Sequence, residues 1–129
     1  MSAYDLGGFI NVDLDLESPR PLGALIATLD VDGKLTMISS RQERGRHYAS
    51  FETYKTKKTA ETTVRELARV VSALPRNAAA EWKRCKRTLD VGIQARGKSA
   101  AVVRVSPAMM KAAHSIGADI VVTVYPERK

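Results

Sequence analysis

With 129 residues, 44% of them apolar and 27% charged, the chain has the makeup of one globular domain with its own core, not of a disordered or disulfide-stapled protein. Cys85 is the only cysteine, no basic stretch leads into an apolar run at the start, and no uncharged apolar run reaches bilayer length; a cytoplasmic protein without a secretory signal or membrane span is expected. The net charge of +7 is unevenly spread, since residues 1–33 carry six acids against Arg20 alone (net −5) while the other 96 carry twenty bases and eight acids (net +12), a distribution suited to an acidic partner or simply to solubility.

The first strong pattern is Phe9–Glu17, where Ile10, Val12, Leu14 and Leu16 alternate with Asn11, Asp13, Asp15 and Glu17. A period of two predicts a strand with one buried and one wet face. Ser18 stands where a helix cap belongs, Pro19 and Pro21 fit a first turn, and Leu22, Leu25, Ile26 and Leu29 form a helical stripe. Asp32-Gly33 predicts a turn into a strand over Leu35–Ser40, and Arg41–Arg46, with Gly45, a hairpin return into His47–Tyr54. A longer helix is predicted over Thr59–Leu74 from the stripe Val64, Leu67, Ala68, Val71 and Leu74, ended by Pro75. Asn77–Arg87 predicts a further helix capped by Asn77, with Ala78, Trp82 and Cys85 inward and Lys86 and Arg87 at its last turn. Leu89, Val91 and Ile93 mark the next strand.

The closing segment repeats the opening unit of strand, Ser-Pro, short helix, tight turn and strand: Ala100–Val105, Ser106-Pro107, Ala108–Ile116, Gly117 and Asp119–Tyr125. The order βαββα(α)β followed by βαβ predicts one α+β domain over residues 1–129. A ferredoxin-like βαββαβ core is extended by a C-terminal βαβ unit, giving six strands in a largely antiparallel sheet with helices on one face.

No catalytic or metal signature stands out. Asp13, Asp15 and Glu17 share a strand face, with successive side chains roughly 7 Å apart. They do not make an EF-hand loop, because Ser18 and Ala24 occupy the places that need Gly and a bidentate Glu. A solvated outer face is the simpler reading, with a contact surface for a basic partner beside it. Arg41, Arg44, Arg46 and His47 gather charge around one hairpin, flanked by Tyr48 and Tyr54, and suit carboxylate or phosphate recognition. Lys55, Lys57 and Lys58, and Lys83 to Arg87, are further basic groups that read as solvated segments. Trp82 and Cys85 read as core residues, and His47 and His114 are isolated. There is no Walker loop and no G-x-G-x-x-G. No catalytic residue, metal ligand or cofactor is assigned.

Two stretches together, Phe-Ile-Asn-Val-Asp-Leu-Asp-Leu-Glu-Ser near the start and Val-Ser-Pro-Ala-Met-Met-Lys-Ala-Ala-His-Ser-Ile-Gly-Ala-Asp-Ile-Val-Val-Thr-Val-Tyr near the end, resemble a family of small bacterial domains of unknown function. Its members begin with an Asp-Leu-Asp-like strand and close with a Ser-Pro-capped helix, a Gly-Ala turn and a strand ending in Tyr. The resemblance covers about a third of the chain; it implies the fold and a bacterial origin and carries over no site residues. A fold-level likeness to the ACT domain, a ferredoxin-like module that binds amino acids at a dimer interface, rests on Pro21-Leu22-Gly23-Ala24-Leu25, with Leu22 placed between Pro and Gly.

The function expected from these features is a non-enzymatic, regulatory or immunity-like protein-binding module. Its contacts are Arg41, Arg44, Arg46 and His47, with Asp13 and Asp15 as a second surface. Nucleic-acid binding through the basic portion and an ACT-like small-molecule sensor are the alternatives, and exposed sheet edges suit a homodimer.

Overall fold

The computed structural model describes residues 5–6 (backbone), 8–31, 34–53 and 59–127. The Asp32-Gly33 turn, Tyr54, Lys55, Lys57 and Lys58 lie outside them. The elements are β1 (Asp5–Leu6), β2 (Phe9–Ser18), α1 (Gly23–Leu29), β3 (Leu35–Glu43), β4 (Arg46–Thr53), α2 (Ala60–Ser72), α3 (Arg76–Arg84), β5 (Lys86–Gln94), β6 (Val102–Val103), α4 (Pro107–Ser115) and β7 (Asp119–Tyr125).

The main sheet has the order β3-β4-β2-β5-β7. β2 lies antiparallel between β4 and β5, β3 is antiparallel to β4, and β7 is parallel to β5. The first four strands of this sheet have the ferredoxin-like arrangement, so the α+β class expected from the element order is the one observed. Val12, Leu14 and Leu16 of β2, Ala49 and Phe51 of β4, and Leu89 and Val91 of β5 share one face of the sheet. Leu25, Leu29, Val64, Leu67, Trp82 and Met109 from the helices join them in one buried cluster. Among the described residues no helix lies over the opposite face.

The C-terminal extension differs from a six-stranded sheet. Only β7 joins it, and the predicted strand Ala100–Val105 contributes just Val102–Val103, paired with β1 in a separate two-stranded ladder. A parallel neighbour requires the chain to return to the starting end of β5. Residues 95–118 make that crossover, so the segment before α4 runs past the end of the sheet.

Helix boundaries also shift for identifiable reasons. Ser18 is the last residue of β2, buried, and its Oγ accepts the Arg20 N–H (3.2 Å). Pro21 bars Arg20 from helical backbone, so α1 starts only at Gly23 and has no side-chain cap of its own at Leu22. Its free N-terminal N–H groups are met from α3 instead, where Glu81 accepts from Leu25 (2.8 Å) and Ala24 (3.3 Å). Ser106 caps α4 ahead of Pro107, as the sequence predicts, and α2 has a capping box between Thr59 and Thr62 that the stripe alone did not indicate.

α3 ends at Arg84 because Cys85 is extended, which places Lys86 and Arg87 in β5 rather than at a helix end. Pro75, not Asn77, holds its N-cap position. Arg87 still serves carbonyls, donating to Trp82 O (3.0 Å) and Gly117 O (3.1 Å), with its guanidinium 5.5 Å from the Trp82 ring centroid. Trp82 is buried and donates Nε1–H to Ile116 O (3.1 Å), so the two residues tie α3 to the end of α4. At the start of β2 a Cβ on Gly8 would lie 1.9 Å from Gln94 O, and only glycine permits that approach.

Replacing Glu81 by Ala should lower stability by about 1–2 kcal/mol, because two N-terminal donors of α1 lose an ionised acceptor. Urea unfolding measures it, and Glu81→Gln should recover part of the loss.

Candidate functional site

The uncovered face of the sheet carries both surfaces singled out in the sequence. Register places Asp15 beside Ser50 and Thr88, Asp13 beside Asp90, and Glu17 beside Tyr48 and Lys86. Arg41 pairs with Tyr48 and Glu43 with Arg46 on the same face. Arg41, Arg46, Asp13 and Asp15 therefore face one way. His47, opposite Ser18 and Gln42, has the other parity and is half-buried on the helix side. Arg44 lies in the two-residue hairpin turn, where it and Gly45 both have positive φ (51° and 78°).

The two ends of the open face differ in electrostatics. At the hairpin end the bases already have partners: Arg46 Nε donates to Glu17 at 2.7 Å, and Arg41 Nε donates to Glu43 at 3.2 Å while its guanidinium lies 4.4 Å from the Tyr48 ring centroid. At the other end Asp13, Glu52 and Asp90 line a cleft of about 530 Å³ with Asn11, Gln94 and Glu127. That volume falls in the range of roughly 300–1,000 Å³ usual for ligand sites. Ile10, Ile38, Tyr125 and Pro126 supply its apolar wall, and among the described residues none of the lining side chains is basic.

Two β-bulges build that wall. One interrupts the β2–β5 register between Phe9 and Asn11, the other the β3–β4 register between Met37 and Ser39. Each inserts one residue, reversing the alternation beyond it. Phe9 and Met37 pack on the core, while Ile10 and Ile38 line the cleft at 54% and 50% exposure. This corrects the expectation that Ile10 shares the buried face of Val12. Gly92 forms the floor; a Cβ there would lie 3.5 Å from the Tyr125 ring and 3.8 Å from Ile10 Cβ. Gln94 Nε2 donates to Pro126 O (2.6 Å), holding the chain after β7 against the cleft.

Among the described residues these carboxylates find neutral donors. Asn11 Nδ2 donates to Glu52 (3.2 Å), Ser50 Oγ to Asp15 (2.7 Å) and Thr123 Oγ1 to Asp90 (2.7 Å). Burial, reinforced by the negative charges of Asp15, Glu52 and Asp90, pushes the Asp13 carboxyl up to about 6. Burial also raises Asp15, opposed by its bond from Ser50 and aided by the charge of Asp90. Among the described residues no three acidic, imidazole or thiol side chains converge as metal ligands. The arrangement can hold a cationic head group against an apolar wall.

Cys85 is buried, its Sγ donates to Glu81 O, and burial pushes its thiol up to about 11, which leaves it unreactive at neutral pH. Of the cleft, the sequence singled out only Asp13. Glu52, Asp90, Gly92 and Tyr125 come from four separate strand positions and had no local signal, although the outward parity of Asp90 was readable. No protein-family model, curated protein or solved structure matches the chain. No described helix is long and apolar enough to cross a membrane.

Because Asp13 holds its proton to higher pH folded than unfolded, the native state takes up an extra proton between about pH 4 and 6. Its contribution to stability must therefore fall as pH rises through that window. Asp13→Asn should be more stable than wild type at pH 7, with the difference shrinking towards pH 4, as followed by urea unfolding at both values. Carboxyl NMR of the wild type should show Asp13 titrating near 6.

Proposed function

We propose that this protein is a non-enzymatic binding module of the bacterial cytoplasm whose open sheet face receives a protein partner, with a lysine or arginine side chain of that partner entering the acidic cleft. The observation that carries the reading is the cleft itself. A chain of net charge +7 gathers Asp13, Glu52, Asp90 and Glu127 around one apolar-walled hollow, with no described basic side chain lining it. An ammonium or guanidinium would relieve the mutual repulsion of the carboxylates, and its alkyl stem would cover Ile10, Ile38 and Tyr125.

The hairpin end supports the same reading from the other side. Arg44 stands at the tip, and Arg41 and Arg46 offer remaining guanidinium donors to acidic groups on the same partner. A partner lying along the face would meet an acidic end and a basic end, which sets its direction. Nucleic acid fits this face less well, because the acidic end repels phosphates and the basic end is partly neutralised by Glu17 and Glu43.

The test is affinity capture from lysate of the source cells with three baits at pH 7.5 and with nuclease: wild type, Asp13→Asn with Asp90→Asn, and Gly92→Val. The two variants remove the charge and the space of the cleft respectively. One protein held by the wild type and lost from both variants is expected. Purified, that partner should bind more tightly as pH rises through about 6, as Asp13 ionises. Capture unaffected by either variant overturns the cleft reading. Capture abolished by nuclease replaces it with nucleic-acid binding, and a melting shift of the wild type with free amino acids but no captured protein replaces it with a small-molecule sensor.

A further inference from the structure

The two outer strands of the sheet are treated differently. β3 is interrupted by a bulge, carries Arg41 and Glu43, and has its Met37 N–H taken by Asp30 Oδ1 (3.1 Å) beside α1. These are the usual devices that keep an edge from pairing with another chain. β7 has none of them. Its seven residues, Asp119–Tyr125, contain no bulge, proline or lysine, and Asp119 is their only charge. Val122 and Val124 are 48% and 62% exposed, and Val121 and Tyr125 are exposed on the opposite face.

The backbone of β7 is equally open. Tyr125 O accepts the Ala95 N–H and so faces β5. By the strict alternation of a strand, Ile120, Val122 and Val124 turn their N–H and C=O groups outward. Among the described residues no strand pairs with that side.

We propose that β7 is the dimer edge of this protein, pairing antiparallel with β7 of a second copy about a two-fold axis at Val122. That register is the one that centres the outward-facing donors and acceptors on each other: Val122 opposes Val122, and Ile120 opposes Val124. On the open face Val121 opposes Thr123 and Asp119 opposes Tyr125, so no like charges meet, and β-branched side chains face one another at every pair but the outermost.

A second copy is favoured over an unrelated extended segment because the same strand supplies both sides of this match. The two five-stranded sheets join into one, both open faces on the same side, and each Tyr125 at the cleft gains Asp119 of the other copy as its neighbour. This assignment stands independently of what the cleft binds.

Sedimentation equilibrium of the full chain should give twice the 14.1 kDa of one copy. Val122→Lys, which sets two like charges face to face on the axis, should give the monomer mass with an unchanged circular dichroism spectrum. Val122→Cys should form a disulfide-linked dimer under mild oxidation, since buried Cys85 does not compete, while Ile38→Cys on β3 should not. Asp13→Asn should remain a dimer, which separates this assignment from the cleft reading. A wild type that is monomeric at its highest soluble concentration overturns the proposal. So does a dimer that survives Val122→Lys, or one cross-linked through Ile38→Cys but not Val122→Cys.

Discussion

Coverage of one side of β2, with the other side left uncovered, is the constraint that organises this molecule. β2 is the middle strand, so Val12, Leu14 and Leu16 have neighbouring strands on both sides and helices above. α2 packs against β2 and β4, α1 against β3, and α4 against β7 and α2, which commits all helical coverage to one face. Burying an aliphatic side chain of this size is worth about 1.5–3 kcal/mol. A shift of β2 by one residue would expose three of them and carry Asp13 and Asp15 into the core. The register is therefore held from both faces, by the gain of burying one set and the cost of burying the other.

The same constraint gives the open face its character. Side chains there sit beside neighbours on three strands, so a carboxylate at the centre is half-buried even though no described helix covers it. A sheet shaped only for stability would alternate acids with bases across such a surface, and at the hairpin end this one does, through Arg46 with Glu17 and Arg41 with Glu43. At the cleft the strands bring Asp13, Glu52 and Asp90 together instead, with neutral Asn11 donating to Glu52 and neutral Thr123 to Asp90. Grouping like charges costs stability, and such groupings are commoner at functional sites than elsewhere.

Much of the scaffold was legible in the sequence because it is written in local patterns. The alternation of β2, the stripe of α2 and the Ser106-Pro107 start of α4 each depend on residues within a few positions of one another. What escaped is non-local. The cap of α1 comes from Glu81, more than fifty residues away, while the nearby Ser18, a good cap by type, is held in β2. Lys86 and Arg87 follow a helical run without a break in composition, and only the extended backbone of Cys85 assigns them to β5. The cleft was hidden for a further reason. Ile10 fits the alternation of its strand perfectly, and a single inserted residue places it on the opposite face. A bulge has no signature in one strand, since it is a mismatch in length between two.

The C-terminal crossover links the cleft to the edge. A ferredoxin-like sheet alone would end at β5, with Gly92 open to solvent and the carboxylates on a flat surface. Adding β7 in parallel sets the Tyr125 ring beside Gly92 and Ile10, and Gln94 then holds Pro126 and Glu127 at the rim. The strand that turns a flat acidic surface into a hollow is thus also the strand whose outer side no described strand pairs with. Pairing along that side would fix β7, and with it the wall carrying Tyr125, more firmly than its contacts with α4 and β5 alone. Order at the edge and shape at the cleft are in this way properties of one strand, so a change in how β7 is held at its edge should be felt at the cleft through the position of Tyr125.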